Sequence, residues 1–292
     1  MEIRKAERKK AKLRLGIAAP SGAGKTYSSL LLAFGLGGKV GLIDTEHGSG
    51  DLYAHLGDYD IISIEAPYTV AKYTQAIKAF EDAGYSTIII DSLTHAWAGD
   101  GGLLDKQGKL ADRGTNSFAA WRTITPEHNN LVDAMLKSPC HIIATMRAKQ
   151  EYVLETNDKG KQQPKKVGMA PVQREGMEYE FTVMLDVDMN HIASASKDRT
   201  SLFDGQLFKI SEETGKELLA WLETGKEPPK LSEAALADHK AAIESAGDIE
   251  ALQGAYAAAF RAAKAMNDGH ALAILTDAKD ARKGQLTTKE AA

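Results

Sequence analysis

The residues most suggestive of chemistry are Pro20, Ser21, Gly22, Ala23, Gly24, Lys25 and Thr26. They follow an apolar run, Leu13 to Ala18, and open a helix-forming run, Tyr27 to Phe34. A glycine-bearing turn between strand and helix that ends in Lys-Thr makes a phosphate cradle. Gly22 and Gly24 can take backbone angles closed to other residues, so successive N–H groups converge on phosphate oxygens. The helix N-terminus adds its dipole. Lys25 is placed to meet the β- and γ-phosphates of ATP, and the Thr26 hydroxyl to ligate Mg²⁺. In one respect the pattern departs from the usual one, since Ala19 stands where a first glycine is common.

Two carboxylates end apolar strands. Thr87 to Asp91 is apolar on both faces, as in a buried parallel sheet. Asp91 at its end is placed like the carboxylate that holds Mg²⁺ in P-loop nucleoside triphosphatases. The second strand, Lys39 to Asp44, runs into Thr45-Glu46-His47. If that strand neighbours the cradle strand, Glu46 faces the γ-phosphate and can deprotonate the attacking water. The alternative is a solvated loop glutamate.

The elements that must position these groups alternate between strand and helix. A third strand runs from Asp60 to Glu65, Thr69 caps a helix to Ala83, and His141 to Met146 is a further buried strand. Such alternation predicts a doubly wound α/β domain with ligands at the carboxyl ends of its strands. The glycine-rich segment 99–115 reads as a loop, and Asn116 to Lys137 as a helix interrupted near Pro126. Arg147 to Gly176 has little apolar content and reads as a long basic insertion with a turn at Asn157 to Gly160. Tyr179 to Asp188 and His191 to Ala195 alternate like strands of a meander, and Leu207 to Ile210 reads as one more.

The expected domains are a basic arm (1–12), an ATPase core (13–225), a linker (226–231), an alanine-rich helical domain (232–284) and a disordered tail (285–292). Of 292 residues, 43% are hydrophobic and the net charge is -4, so any nucleic-acid site must be a local patch. The single cysteine, Cys140, excludes an intrachain disulfide and fits a reducing cytoplasm. No apolar run is long enough to span a bilayer.

Taken together, Leu42 to His47, Ile88 to Ser92, Met146 to Lys149 and Ala195 to Arg199 resemble, in order and spacing, four motifs of the RecA-like recombinases. They are the catalytic-glutamate strand, the Walker B strand, the entry to the second DNA loop and the basic pair against the next subunit's nucleotide. Residues 13–224 are most similar to short phage-encoded RecA-like ATPases that assist single-strand annealing. The resemblance implies a RecA-like, mostly parallel sheet with a β-meander extension, and homo-oligomers, filament or ring, with ATP at subunit interfaces. It implies that Lys197 and Arg199 act on a neighbour's nucleotide, that Tyr53 stacks on adenine, and that Thr145 replaces the glutamine that senses the γ-phosphate. It places DNA contacts at Arg147, Lys149, Lys159, Lys161, Lys165, Lys166 and Arg174. The alternative for these cations is solvation.

The function expected from these readings is an ATP- and Mg²⁺-dependent ATPase that binds single-stranded DNA in phage recombination or replication. A single-strand binding protein is a candidate partner of the C-terminal helices. The rivals are a hexameric helicase or DNA-packaging motor, an annealing protein that uses ATP only as a structural ligand, and a small-molecule P-loop kinase.

Overall fold

The computed structural model describes residues 5–156, 162–226, 230–266 and 268–290. One compact unit is Lys12–Glu223; the segment before Lys12 groups with the residues from Thr224 onward. The strands are β1 (Arg14–Ala19), β2 (Val40–Asp44), β3 (Asp60–Ser63), β4 (Thr87–Asp91), β5 (His141–Thr156), β6 (Gln162–Pro171), β7 (Val183–Val187) and β8 (Ala193–Asp198). In the first unit the helices are α1 (Lys25–Leu36), α2 (Val70–Asp82), α3 (Leu93–Ala98), α4 (Leu103–Asp112), α5 (Ser117–Lys137) and α6 (Glu212–Glu223).

The sheet order is β3-β2-β4-β5-β1-β7-β8, with β6 paired to β5. From β3 to β7 the pairings are parallel, and β8 and β6 are antiparallel additions. Alternation along the strands sends side chains to opposite faces. Leu15, Ile17, Leu42, Ile89 and Ile143 join the core with Leu30, Leu36, Leu218 and Leu222 of α1 and α6. Ile43, Ile88, Ile90, Ile142 and Ala144 join Tyr73, Ile77, Leu93, Ile124 and Met135 of α2, α3 and α5. This is the doubly wound, mostly parallel sheet with an antiparallel extension that the sequence predicts. α1 and α6 approach so closely at Gly35 and Gly215 that a Cβ on either would collide with backbone of the other helix.

Several local expectations are corrected. Segment 99–115 is helical over α4: Leu103 is buried and Asp105 accepts the Gly101 N–H at 2.9 Å. Gly99, Gly101, Gly102 and Gly114 flank that helix, and Gly108 lies within it. α5 runs unbroken through Pro126, because Ala120, Ile124, Leu131 and Met135 bury one face and offset the lost backbone hydrogen bond. The basic insertion is no loop: β5 continues to Thr156 and pairs with β6. Pro164 is tolerated in β6, which among the described strands pairs with β5 only. The turn at 157–160 lies outside the described residues. Leu207 to Ile210 makes only an isolated bridge, Phe208 to Ala193.

In the second unit, α7 (Glu233–Glu244), α8 (Ile249–Ala265) and α9 (Gly269–Glu290) bury Ile243, Leu252, Ala259, Ala263 and Leu275. Ser232 and Asp248 cap α7 and α8. α9 continues as helix past 285, where a tail is expected, because Leu286 is buried with that core. The segment 5–11 is not a free arm. Lys10 donates to the Lys226 carbonyl (2.9 Å) and Lys226 to the Arg8 carbonyl (3.0 Å).

β1 and β5 are fastened where they begin by His141, whose Nδ1 accepts the Leu13 N–H at 3.1 Å. Burial, with Lys12 and Arg14 nearby, pushes this imidazole from 6.5 down to about 3. The unfolded chain therefore takes up a proton near pH 6.5 that the folded chain refuses until about pH 3, and stability falls as pH drops between them. His141→Asn, which keeps an acceptor, should flatten that slope by about 1.4 kcal/mol per pH unit in denaturant titrations. Gly215→Ala should destabilise the protein by about 1–3 kcal/mol through overpacking against α1, measured by thermal unfolding.

Candidate functional site

The phosphate cradle lies between β1 and α1. Gly22 (φ 83) and Gly24 (φ 84) are both left-handed, and Gly24 caps α1. The loop is braced from β7–β8: His191 Nδ1 lies 3.1 Å from the Ala23 carbonyl oxygen. Lys25 Nζ donates to the Ala19 and Pro20 carbonyls at 3.3 and 3.1 Å. Burial draws the Lys25 ammonium below its usual range, against the opposing charges of Asp91 and Glu46.

Asp91 ends β4 beside the cradle and is 2% exposed. Its two oxygens accept hydroxyls rather than meet a cation, one from Thr26 (2.5 Å) and one from Thr145 (2.5 Å). Burial lifts its carboxyl above the usual carboxylate range, with the Thr145 and Thr26 hydrogen bonds pulling the other way. A buried carboxylate converging with the hydroxyl of Thr26 is an oxygen donor pair of the kind Mg²⁺ takes. Thr26 and Asp91 thus fit the ion that the motif implies.

Glu46 reaches the same cleft by a route that the sequence reading did not foresee. β2 does not neighbour β1; β4 and β5 stand between them. The end of β2 is instead tied to the end of β4. The Thr45 N–H donates to the Asp91 carbonyl (2.7 Å), and the Ser92 N–H to the Thr45 hydroxyl (2.8 Å). Asp44 then turns the chain by accepting the Glu46 and Gly50 N–H groups at 2.6 and 3.0 Å. A cleft of about 510 Å³ results, lined by the cradle, Glu46, Tyr53, Asp91 and Arg147. Tyr53 meets Tyr27 edge-on at 6.2 Å.

Arg147, read from the sequence as a nucleic-acid contact, stands in this cleft. Its Nε and a terminal nitrogen donate to the two oxygens of Glu46 at 3.0 and 2.5 Å. Ser92 Oγ adds a third bond, at 3.2 Å. Burial alone would push the Glu46 carboxyl up, but Arg147, with His95 and Ser92, holds it below the usual range. Thr145 is fully buried on Asp91. The roles of Ser92, His95, His191 and Arg147 escaped the sequence reading, because each depends on a contact across the sheet.

The remaining candidates lie elsewhere. Lys197 donates to the Glu178 and Tyr179 carbonyls (3.0 and 2.6 Å), and Arg199 to the Tyr179 carbonyl (3.2 Å). Asp198 between them turns the other way and accepts from Thr200 and Phe203. Arg174 lies over the Trp121 ring and bonds Thr125. Lys149 is exposed on β5. Lys165 and Lys166 fall on β6, with side chains that the structure does not describe, and Lys159 and Lys161 lie outside the described residues.

Lys25→Ala should weaken Mg-ATP binding by about 10²-fold or more, the scale of two charge-assisted hydrogen bonds, in calorimetry. Asp91→Asn should raise the thermal midpoint of the free protein by removing a buried charge, and should abolish the Mg²⁺-dependent part of nucleotide affinity.

No curated protein matches the chain. Among solved structures, it is similar to a prototypical ATPase from the type III secretion system of pathogenic bacteria, at 16% identity and a TM-score of 0.35. That match covers 60% of this chain and 51% of the other, so the chain spans about half the length of that protein. A family model described as AAA domain matches residues 11–216, which include the cradle, both carboxylates and Arg147. The chain belongs to this AAA domain family.

Proposed function

We propose that this protein is an ATPase that uses Mg²⁺ and acts on single-stranded DNA, in the manner of a RecA-type recombinase or annealing ATPase of phage recombination or replication. The observation that carries the reading is the convergence, in one cleft, of Lys25, Thr26, Asp91 and Glu46. Lys25 and the cradle N–H groups bind the phosphates, and Thr26 and Asp91 hold the ion. When bound, Mg²⁺ neutralises charge on the β- and γ-phosphate oxygens. Glu46 orients a water and takes its proton at a carboxylate oxygen.

The link to DNA rests on β5. The strand that carries Thr145 and Arg147 into the cleft runs on as a hairpin with β6, and Lys149, Lys165 and Lys166 belong to that hairpin. Cations on a two-stranded ribbon suit backbone phosphates. Oligomerisation rests on Lys197 and Arg199. They sit on and just after the edge strand β8, away from their own cleft, and a neighbour's nucleotide would take them from the carbonyls they now bond. The C-terminal helices serve as a docking module, with a single-strand binding protein as the candidate partner.

One observation favours a rival. Glu46 is engaged by Arg147 at both oxygens, as would suit a protein that keeps ATP only as a structural ligand. Steady-state turnover decides between them. Glu46→Gln should retain ATP binding and lose about 10²–10⁴-fold in hydrolysis, and single-stranded DNA should stimulate the unaltered protein. Turnover that is absent with and without DNA would favour the structural-ligand reading. Replacing Lys149, Lys165 and Lys166 together should flatten the salt dependence of DNA binding by about 0.7 log units for each phosphate no longer neutralised.

A further inference from the structure

We propose that Arg147 is the residue that tells a nucleoside triphosphate from a diphosphate, by leaving Glu46 for the γ-phosphoryl group, and that it passes the difference to the β5–β6 hairpin. The inference rests on the nucleotide-binding reading of the cleft.

A guanidinium keeps its charge at any working pH, so in a partly buried site it needs an anion beside it. In the free protein that anion is Glu46, held two-pronged at 3.0 and 2.5 Å. The same planar fork fits two phosphate oxygens as well as it fits a carboxylate. Among the residues lining the cleft, the cations are Lys25 and Arg147. Lys25 belongs to the cradle itself, whereas Arg147 reaches in from β5. Its strand position pairs in register with Ala19, the residue that leads into the cradle. The Arg147 side chain is 47% exposed, so it has room to turn; Glu46 is more enclosed, at 23%. A diphosphate leaves the carboxylate as the best anion within reach. A triphosphate adds a second one of higher charge.

Both outcomes do something. While Arg147 bonds both oxygens and Ser92 one of them, the Glu46 carboxylate is a weakened base toward a water's proton. Once the fork turns to phosphate, Glu46 is released as a base only when there is a γ-phosphoryl group to attack. The backbone of Arg147 carries the change outward. Its N–H donates to Thr94 Oγ1 (2.9 Å), and its carbonyl accepts the Val172 N–H (2.7 Å). The next pair, Ala148 with Pro171, is the root of the hairpin. Arg147 is thus joined to both strands of the hairpin at their base. Thr145, whose hydroxyl is committed to Asp91 and fully buried, has no such freedom.

The test is calorimetry on the full chain with Mg-ADP and with a non-hydrolysable Mg-ATP analogue, for the unaltered protein and for Arg147→Ala. The expected result is a loss of about 10–100-fold in affinity for the triphosphate analogue, the worth of a charged hydrogen bond, with ADP affinity changed by less than about threefold. Hydrogen exchange over residues 148–156 and 162–171 should respond to the analogue but not to ADP, and the response should vanish in the variant. Equal losses for both nucleotides, or unchanged discrimination, overturn the proposal while leaving the nucleotide site standing. Failure of the unaltered protein to bind either nucleotide overturns both readings. If Arg147→Ala folds poorly by circular dichroism, Arg147→Gln takes its place, and full discrimination in that variant overturns the proposal equally.

Discussion

The nucleotide cleft depends on the two-residue alternation of β5. Thr145 and Arg147 project to the same side, and between them they engage both acidic groups of the site, Asp91 and Glu46. β5 lies between β4, which ends in Asp91, and β1, which leads into the cradle. Its position therefore sets the spacing of the phosphate loop, Asp91 and Glu46 together. Met146, between the two, turns the other way and is 1% exposed in the core. A one-residue slip of β5 would bring a methionine into the cleft and bury a guanidinium. The apolar residues Ile142, Ile143 and Ala144 pin the register from both faces, so the packing of the core and the geometry of the cleft are one constraint.

Much of this was legible in the sequence where the signal is local. The cradle is a contiguous pattern, and Gly22 and Gly24 take the left-handed angles it requires. Short β-branched apolar runs such as Ile88 to Ile90 read as buried strands, and Asp91 follows from where that run stops. Strand order is a different kind of fact. The placement of β2 beside β4 rather than beside β1 arises from crossovers that no short window contains. Glu46 was found, but the carboxylate of Asp44 and the hydroxyl of Thr45 that steer it there were not, since their roles depend on how the ends of β2 and β4 are tied together.

The misread segments share a cause. The glycines of 99–115 suggested a loop, yet most of them sit at the ends of a helix whose residues, Leu103 to Asp112, are largely ordinary helix formers. The segment after Met146 lacks apolar alternation, so the outer part of β5 and the whole of β6 gave no strand signal; they are held by pairing with each other. With the hairpin read as a loop, Arg147 looked like one of its cations. Its first position after the buried part of β5 is what turns it inward.

The charges of the cleft are close to balance. Lys25 and Arg147 face Asp91 and Glu46, but several of the present partners are weak or provisional. Lys25 rests on carbonyls at 3.1 and 3.3 Å, and Asp91 on neutral hydroxyls despite its burial. On the proposed reading, a bound nucleotide with its cation would give Lys25 a phosphate and Asp91 a counter-charge. Glu46 is the exception, because its present partner is already a good one. Burial pushes its carboxyl upward and Arg147 holds it down. If the guanidinium turns to phosphate, the upward push of burial is left less opposed, and the carboxylate becomes a stronger base. On the proposed reading, the ion pair that lowers the basicity of Glu46 would also be the means of raising it only when there is a phosphoryl group to transfer.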